Sequence, residues 1–101
     1  MHVRLETTDD AGRERITQLL RYSLNGHSED IENLQLNVET MRDPLGTELH
    51  RCRLRALARC GPSIEVEEVQ SRLDLAVTRA LDRCVRKIRR RRHSFRQRHS
   101  A

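Results

Sequence analysis

Aromatic residues are nearly missing from this 101-residue sequence: it has Tyr22, Phe95 and no Trp. Neither lies in a segment that reads as a strand. No sheet can therefore carry the stacking platform with which RRM and OB domains hold unpaired bases. Apolar runs are short, none approaching the ~18 residues of a membrane span. The start of the chain, Met1-His2-Val3-Arg4, lacks the charged and apolar regions of a secretory signal, so a cytoplasmic location is expected. There the three cysteines, Cys52, Cys60 and Cys84, are expected to stay reduced. Their odd number argues against a disulfide scaffold, and their spacing holds no C-x₂₋₄-C pair for zinc. The four glycines are scattered, which leaves no Gly-rich loop to cradle a phosphate. Ser63 and Ser71 have no His/Asp constellation, and the carboxylates form no paired pattern. Neither an enzyme nor a cofactor is indicated.

What the chain has is charge. Charged residues make up 35% of it and apolar residues 36%, which suits one small domain with a thin core. Two periodicities organise the apolar residues. Residues 2–7 alternate, with Val3 and Leu5 on one face, and read as a short strand. Thr8-Asp9-Asp10 offers cap chemistry for a helix over about 9–24, in which Ile16, Leu19, Leu20 and Ser23 share a face. Asn25-Gly26 ends it. Residues 31–42 alternate again, with Leu34, Leu36, Val38 and Thr40 inward. After the turn Asp43-Pro44-Leu45-Gly46, residues 48–59 place Cys52, Leu54, Ala56 and Ala58 inward and Arg51, Arg53, Arg55 and Arg59 outward. Gly61-Pro62 turns the chain into a fourth strand over 63–69, with Ile64 and Val66 inward and Glu65 and Glu67 outward. Ser71-x-x-Asp74 resembles a capping box and opens a long helix. The order β-α-β-β-β-α predicts an α+β domain: a four-stranded sheet with one polar face and both helices packed on the other, as in double-stranded-RNA-binding domains.

The charge is uneven. Residues 1–78 hold 10 basic and 14 acidic side chains; residues 79–101 hold 10 basic and one acidic, Asp82. Nineteen of the twenty basic residues are Arg, whose planar fork fits phosphate oxygens. On the last helix, at about 100° per residue, Leu73, Val77, Ala80, Leu81, Cys84 and Ile88 share one arc. Arg72, Arg79, Arg83, Arg86 and Arg90 share another, almost opposite, in a ladder about 27 Å long. If the apolar arc is buried, the ladder is exposed. A merely solvated charge run would carry Glu partners at i±4, and only Asp82 lies close. Past Ile88 the apolar arc has no further member, because Arg91 occupies it. The helix end with Arg89 to Arg92 should therefore project beyond the sheet.

Other groups read as structural. Strand pairing in sequence order sets Arg51, Arg53 and Arg55 between Glu39 and Glu65/Glu67, where cross-strand ion pairs absorb their charge. Cys52 and Cys84 face inward as packed core thiols. His50 shares their strand face, but the three do not make a metal site. With no stacking platform, the arginine ladder suits the phosphates and shape of a folded RNA.

The segment from Ile31 to Arg92 resembles the short ribosome hibernation-promoting factor and ribosome-associated inhibitor family, also called sigma-54 modulation proteins. The stretch that carries the likeness is Ile64-Glu-Val, a turn, Leu73-Asp-Leu-Ala76-Val77, and Leu81-Asp82-Arg83-Cys-Val-Arg86. It is similar to the family's strand, acidic-apolar helix start and basic helix. Arg72, Asp74 and Thr78 depart from that pattern. The resemblance implies a non-catalytic domain over 1–92, followed by a basic flexible tail over 93–101. It also implies association with the ribosomal small subunit and its rRNA, blocking the mRNA/tRNA path, with neither membrane nor small-molecule substrate. The ladder and the resemblance together nominate Arg79, Arg83, Arg86, Lys87, Arg90 and Arg91 as RNA-binding residues. Two other readings of the charge are a general structured-RNA-binding protein and a regulatory module that meets an acidic protein partner.

Overall fold

A computed structural model describes residues 1–8, 10–59 and 61–99, with side chains through residue 91. The chain runs β1 (His2–Thr7), a 3₁₀ turn (Asp10–Gly12), α1 (Arg13–Ser23), β2 (Ile31–Arg42), β3 (Glu48–Ala58), β4 (Ile64–Gln70) and α2 (Leu73–His99). The strands form one sheet in the order β1-β2-β3-β4. β1 and β2 are parallel, joined through α1, and the other pairs are antiparallel. This is the β-α-β-β-β-α, α+β arrangement that the two periodicities predict.

Register explains why one sheet face is apolar. Leu5 pairs with Leu36, Leu36 with Leu54, and Leu54 with Val66; the next inward row joins Val3, Leu34, Ala56 and Ile64. Side chains alternate along a strand, so these rows point to one side together. Ile16, Leu20 and Leu24 from the α1 region and Ala76, Val77, Ala80, Leu81, Cys84, Val85 and Ile88 of α2 close over them in one buried cluster. The buried residues of this core are all hydrophobic. Arg15 of α1 joins the two helices through the Asp74 carboxylate at 3.2 Å.

The elements differ from the sequence reading in three places. The first helix is preceded by a 3₁₀ turn, so its α-helical part starts at Arg13 rather than near residue 9. Of the expected cap residues, Asp9 lies outside the described residues. The capping box at Ser71 and Asp74 is not made: the helix opens one residue later, with Ala76 N donating to Arg72 O, and Asp74 Oδ2 accepts from Nε and Nη2 of Arg15. The backbone of α2 stays helical to His99, where the sequence suggested an end near Arg92 and a tail beyond. Neither Gly nor Pro interrupts residues 73–99, and Arg is a good helix former. Ser100 and Ala101 lie outside the described residues. At 1.5 Å per residue the helix continues about 16 Å past Ile88, its last core residue among those whose side chains are described.

Leu81 of α2 has no exposed surface. Truncation by Leu81→Ala is expected to cost about 2–5 kcal/mol of folding stability, read as a lower urea midpoint with an unchanged m-value.

Candidate nucleic-acid interface

The apolar side of α2 turns fully into the core, so its opposite side must face outward. Arg79, Arg83, Arg86, Lys87 and Arg90 are exposed, and Arg91 is half-buried. The structure thus gathers all six nominated residues on one helix, but they divide into two rows with different surroundings.

One row, Arg83, Lys87 and Arg91, runs beside β4. This strand is an edge, so the outward carbonyls of its residues have no neighbouring strand. Arg83 donates from Nη1 to Glu67 O and to Glu68 Oε1, both at 3.0 Å. Lys87 donates from Nζ to Glu65 O at 3.4 Å. Arg91 donates from Nη1 to Pro62 O at 2.6 Å. Its guanidinium also lies over Gly61, whose φ of +86° is the left-handed geometry that glycine supplies.

The other row, Arg79, Arg86 and Arg90, makes no hydrogen bond or ion pair with another described residue. Arg72 and Arg89 are also exposed and without such a partner. Positive charge on this side of α2 is therefore available to an outside anion. A guanidinium held on a rigid helix can donate two parallel hydrogen bonds to a phosphate.

The sequence reading overlooked Glu68. Its side chain, 15% exposed, continues the inward series of Ile64 and Val66 and receives Arg83. The alternation alone could have shown this, since an acid on a core-facing position needs a cationic partner. Proximity to Glu68 also adds to the effect of burial on Cys52, whose thiol is pushed up to about 12. Burial likewise pushes Cys84 up to about 11, against the opposing charges of Lys87 and Arg91. Both cysteines are free thiols, and Cys60 lies outside the described residues.

The strand arginines are occupied, as their register predicts. Arg51 bridges Glu67 at 2.8 Å and Glu39 at 3.4 Å, Arg53 approaches Glu67 at 3.7 Å, and Arg55 approaches Glu65 at 3.6 Å. The Arg53–Glu67 and Arg55–Glu65 pairs line a shallow depression on the open sheet face with Gln35 and Asn37. His50 approaches Thr40 and Glu48. Among the described residues no group of three His, Cys, Asp or Glu converges as for a metal, and no helix is long and apolar enough to cross a membrane.

No protein-family model matches the chain, and no curated protein matches it in sequence. Solved structures do match. The N-terminal domain of Protein Y from Thermus thermophilus aligns with a TM-score of 0.62 at 23% identity, covering 89% of this chain and 98% of that one. A ribosomal subunit interface protein from Coxiella burnetii aligns with a TM-score of 0.71 at 13% identity, covering 92% and 99%. Across nearly its whole length the chain shares their fold.

The two buried thiols make an alkaline prediction. The unfolded chain releases their protons near the ordinary value of 9.0, while the folded chain holds them to about 11 and 12. Their contribution to stability is complete below pH 9 and falls as pH climbs toward 11–12. Urea midpoints measured from pH 8 to 10.5 should decline, and Cys52→Ala with Cys84→Ala should flatten that decline.

Proposed function

We propose that this chain is a non-catalytic ribosome-associated factor that holds the small subunit through rRNA phosphates on α2 and obstructs the path of mRNA and tRNA. The observation that carries this reading is the unpartnered row of Arg79, Arg86 and Arg90 on the exposed side of a helix whose other side is locked in the core. The shared fold supports the choice of particle, since one of the matching structures is a ribosomal subunit interface protein. The sequence resemblance between Ile31 and Arg92 supports the same choice. Translation would fall silent by occupation of the path, with no bond made or broken.

The contacts would be electrostatic and insensitive to base identity. Phosphate neutralisation releases counterions, so binding weakens steeply as salt rises. Selectivity for the particle would come from the shape of the cleft into which the long helix and the sheet fit together, as in other RNA complexes read by shape.

Reversing the free row by Arg79→Glu, Arg86→Glu and Arg90→Glu should abolish co-sedimentation with ribosomes while leaving circular dichroism and the thermal midpoint close to wild type. Pelleting of that variant at the wild-type level would reject the surface. Release of the wild-type protein from ribosomes by excess tRNA would favour a general structured-RNA binder. Capture of a partner that survives nuclease treatment would favour an acidic protein.

A further inference from the structure

We infer that Arg83, Lys87 and Arg91 are positioning residues that clamp α2 along the outer edge of β4, and that phosphate contact is left to Arg79, Arg86 and Arg90. The inference rests on the RNA reading of α2 and divides the six basic residues of that helix by task.

The clamp has a geometric basis. Four residues of an α-helix rise about 6.0 Å, while two residues of a strand span about 6.6–6.8 Å. Every second carbonyl on one side of an edge strand therefore meets every fourth side chain of a helix laid along it. The first two contacts follow that match, Arg83 on Glu67 and Lys87 on Glu65; Arg91 then reaches three residues farther back, to Pro62 in the turn before the strand. The donors are cationic, so these hydrogen bonds are stronger than their neutral counterparts. They also occupy the carbonyls that an incoming strand would use.

The clamp reinforces the rotation that burial of the apolar arc selects. Lys87 lies about 100° from Arg86 and about 60° from Arg90 around the axis. Holding Lys87 at the sheet edge directs Arg86 and Arg90 away from the sheet. The free row is then displayed at axial intervals of about 10.5 Å from Arg79 to Arg86 and about 6 Å from Arg86 to Arg90. A phosphate that met a clamp residue would have to share its cation with β4 and the turn before it, which already hold Nη1 of Arg83 and Arg91 and one N–H of Lys87, whereas the other row makes no hydrogen bond or ion pair with another described residue.

Counterion release separates the two tasks, because the slope of log K against log salt counts neutralised phosphates. Six single variants would be titrated onto a labelled 20-base-pair RNA duplex and onto purified ribosomes across a salt series. Each of Arg79→Gln, Arg86→Gln and Arg90→Gln should reduce the slope by roughly 0.7–0.9. Arg83→Gln, Lys87→Gln and Arg91→Gln should keep the wild-type slope and weaken binding several-fold at every salt concentration. Lys87→Arg, which keeps a cationic donor at the edge, should restore affinity. A purely structural role would lower the thermal midpoint of the clamp variants without altering the affinity of the folded protein, and that result would overturn the positioning role. Equal loss of slope from both rows would overturn the division while preserving the RNA reading. A slope unmoved by all six variants would overturn the RNA reading itself, and the division with it.

Discussion

The burial of one side of α2 is the constraint from which the rest follows. Val77, Ala80, Leu81 and Cys84 have no exposed surface, and Ile88 almost none. Rotating the helix would expose this apolar arc and drive arginines into the sheet, an exchange unfavourable in both halves. The helix therefore has a single rotation available to it. Everything charged on α2 is sorted by that choice into what lies at the sheet edge and what faces outward.

The same arginine chemistry consequently serves several ends in one small domain. On the open sheet face, Arg51, Arg53 and Arg55 lie against Glu39, Glu65 and Glu67, so positive charge there is largely cancelled. Exposed ion pairs of this kind add little stability. Their more consequential effect is to pair Arg51, Arg53 and Arg55 on the open sheet face, unlike Arg79, Arg86 and Arg90 of α2. Within α2, a second sorting depends on distance from β4. Side chains near the edge find carbonyls and Glu68, whereas Arg79, Arg86 and Arg90, farther around the helix, find none among the described residues. A net charge of +5 would not reveal this. What matters for a polyanion is which guanidinium groups remain without a partner.

Much of the fold was legible because its signals are local and repeated. β2 follows its alternation from Leu34 to Val38, after an irregularity between Ile31 and Asn33, and the apolar arc of α2 matches its buried face. The pairing of the strand arginines was legible too, since strands in sequence order fix which acids lie opposite. The beginnings of the helices were less so. Ser71 and Asp74 have the spacing of a capping box, but Arg15, 59 residues from Asp74, claims the carboxylate. A contact of that separation is decided by how α1 and α2 pack, which no local pattern encodes. The far end of α2 runs on to His99 because the backbone needs only the absence of breakers, even where the apolar arc stops at Ile88. For the interface, periodicity found the exposed side of α2 but treated the basic residues as one set. Their division depends on β4 being an edge strand, a property of the whole sheet.

This division bears on what kind of RNA the domain could serve. With no aromatic on the strands, discrimination among bases has no obvious chemical means. Arginines on a straight, rigid helix are instead sensitive to where phosphates lie relative to one another. A flexible single strand could wrap its phosphates onto such a row, at the entropic cost of being ordered along it. A folded RNA presents phosphates already fixed in place, and a helix clamped in rotation loses little freedom when it meets them. Rigidity on both sides therefore favours an RNA of defined shape over an unstructured strand. On the proposed division, the interactions that hold α2 in place are also the ones that occupy donors of Arg83, Lys87 and Arg91. On that division, fewer available charges, better fixed, would exchange non-specific attraction for geometric selectivity.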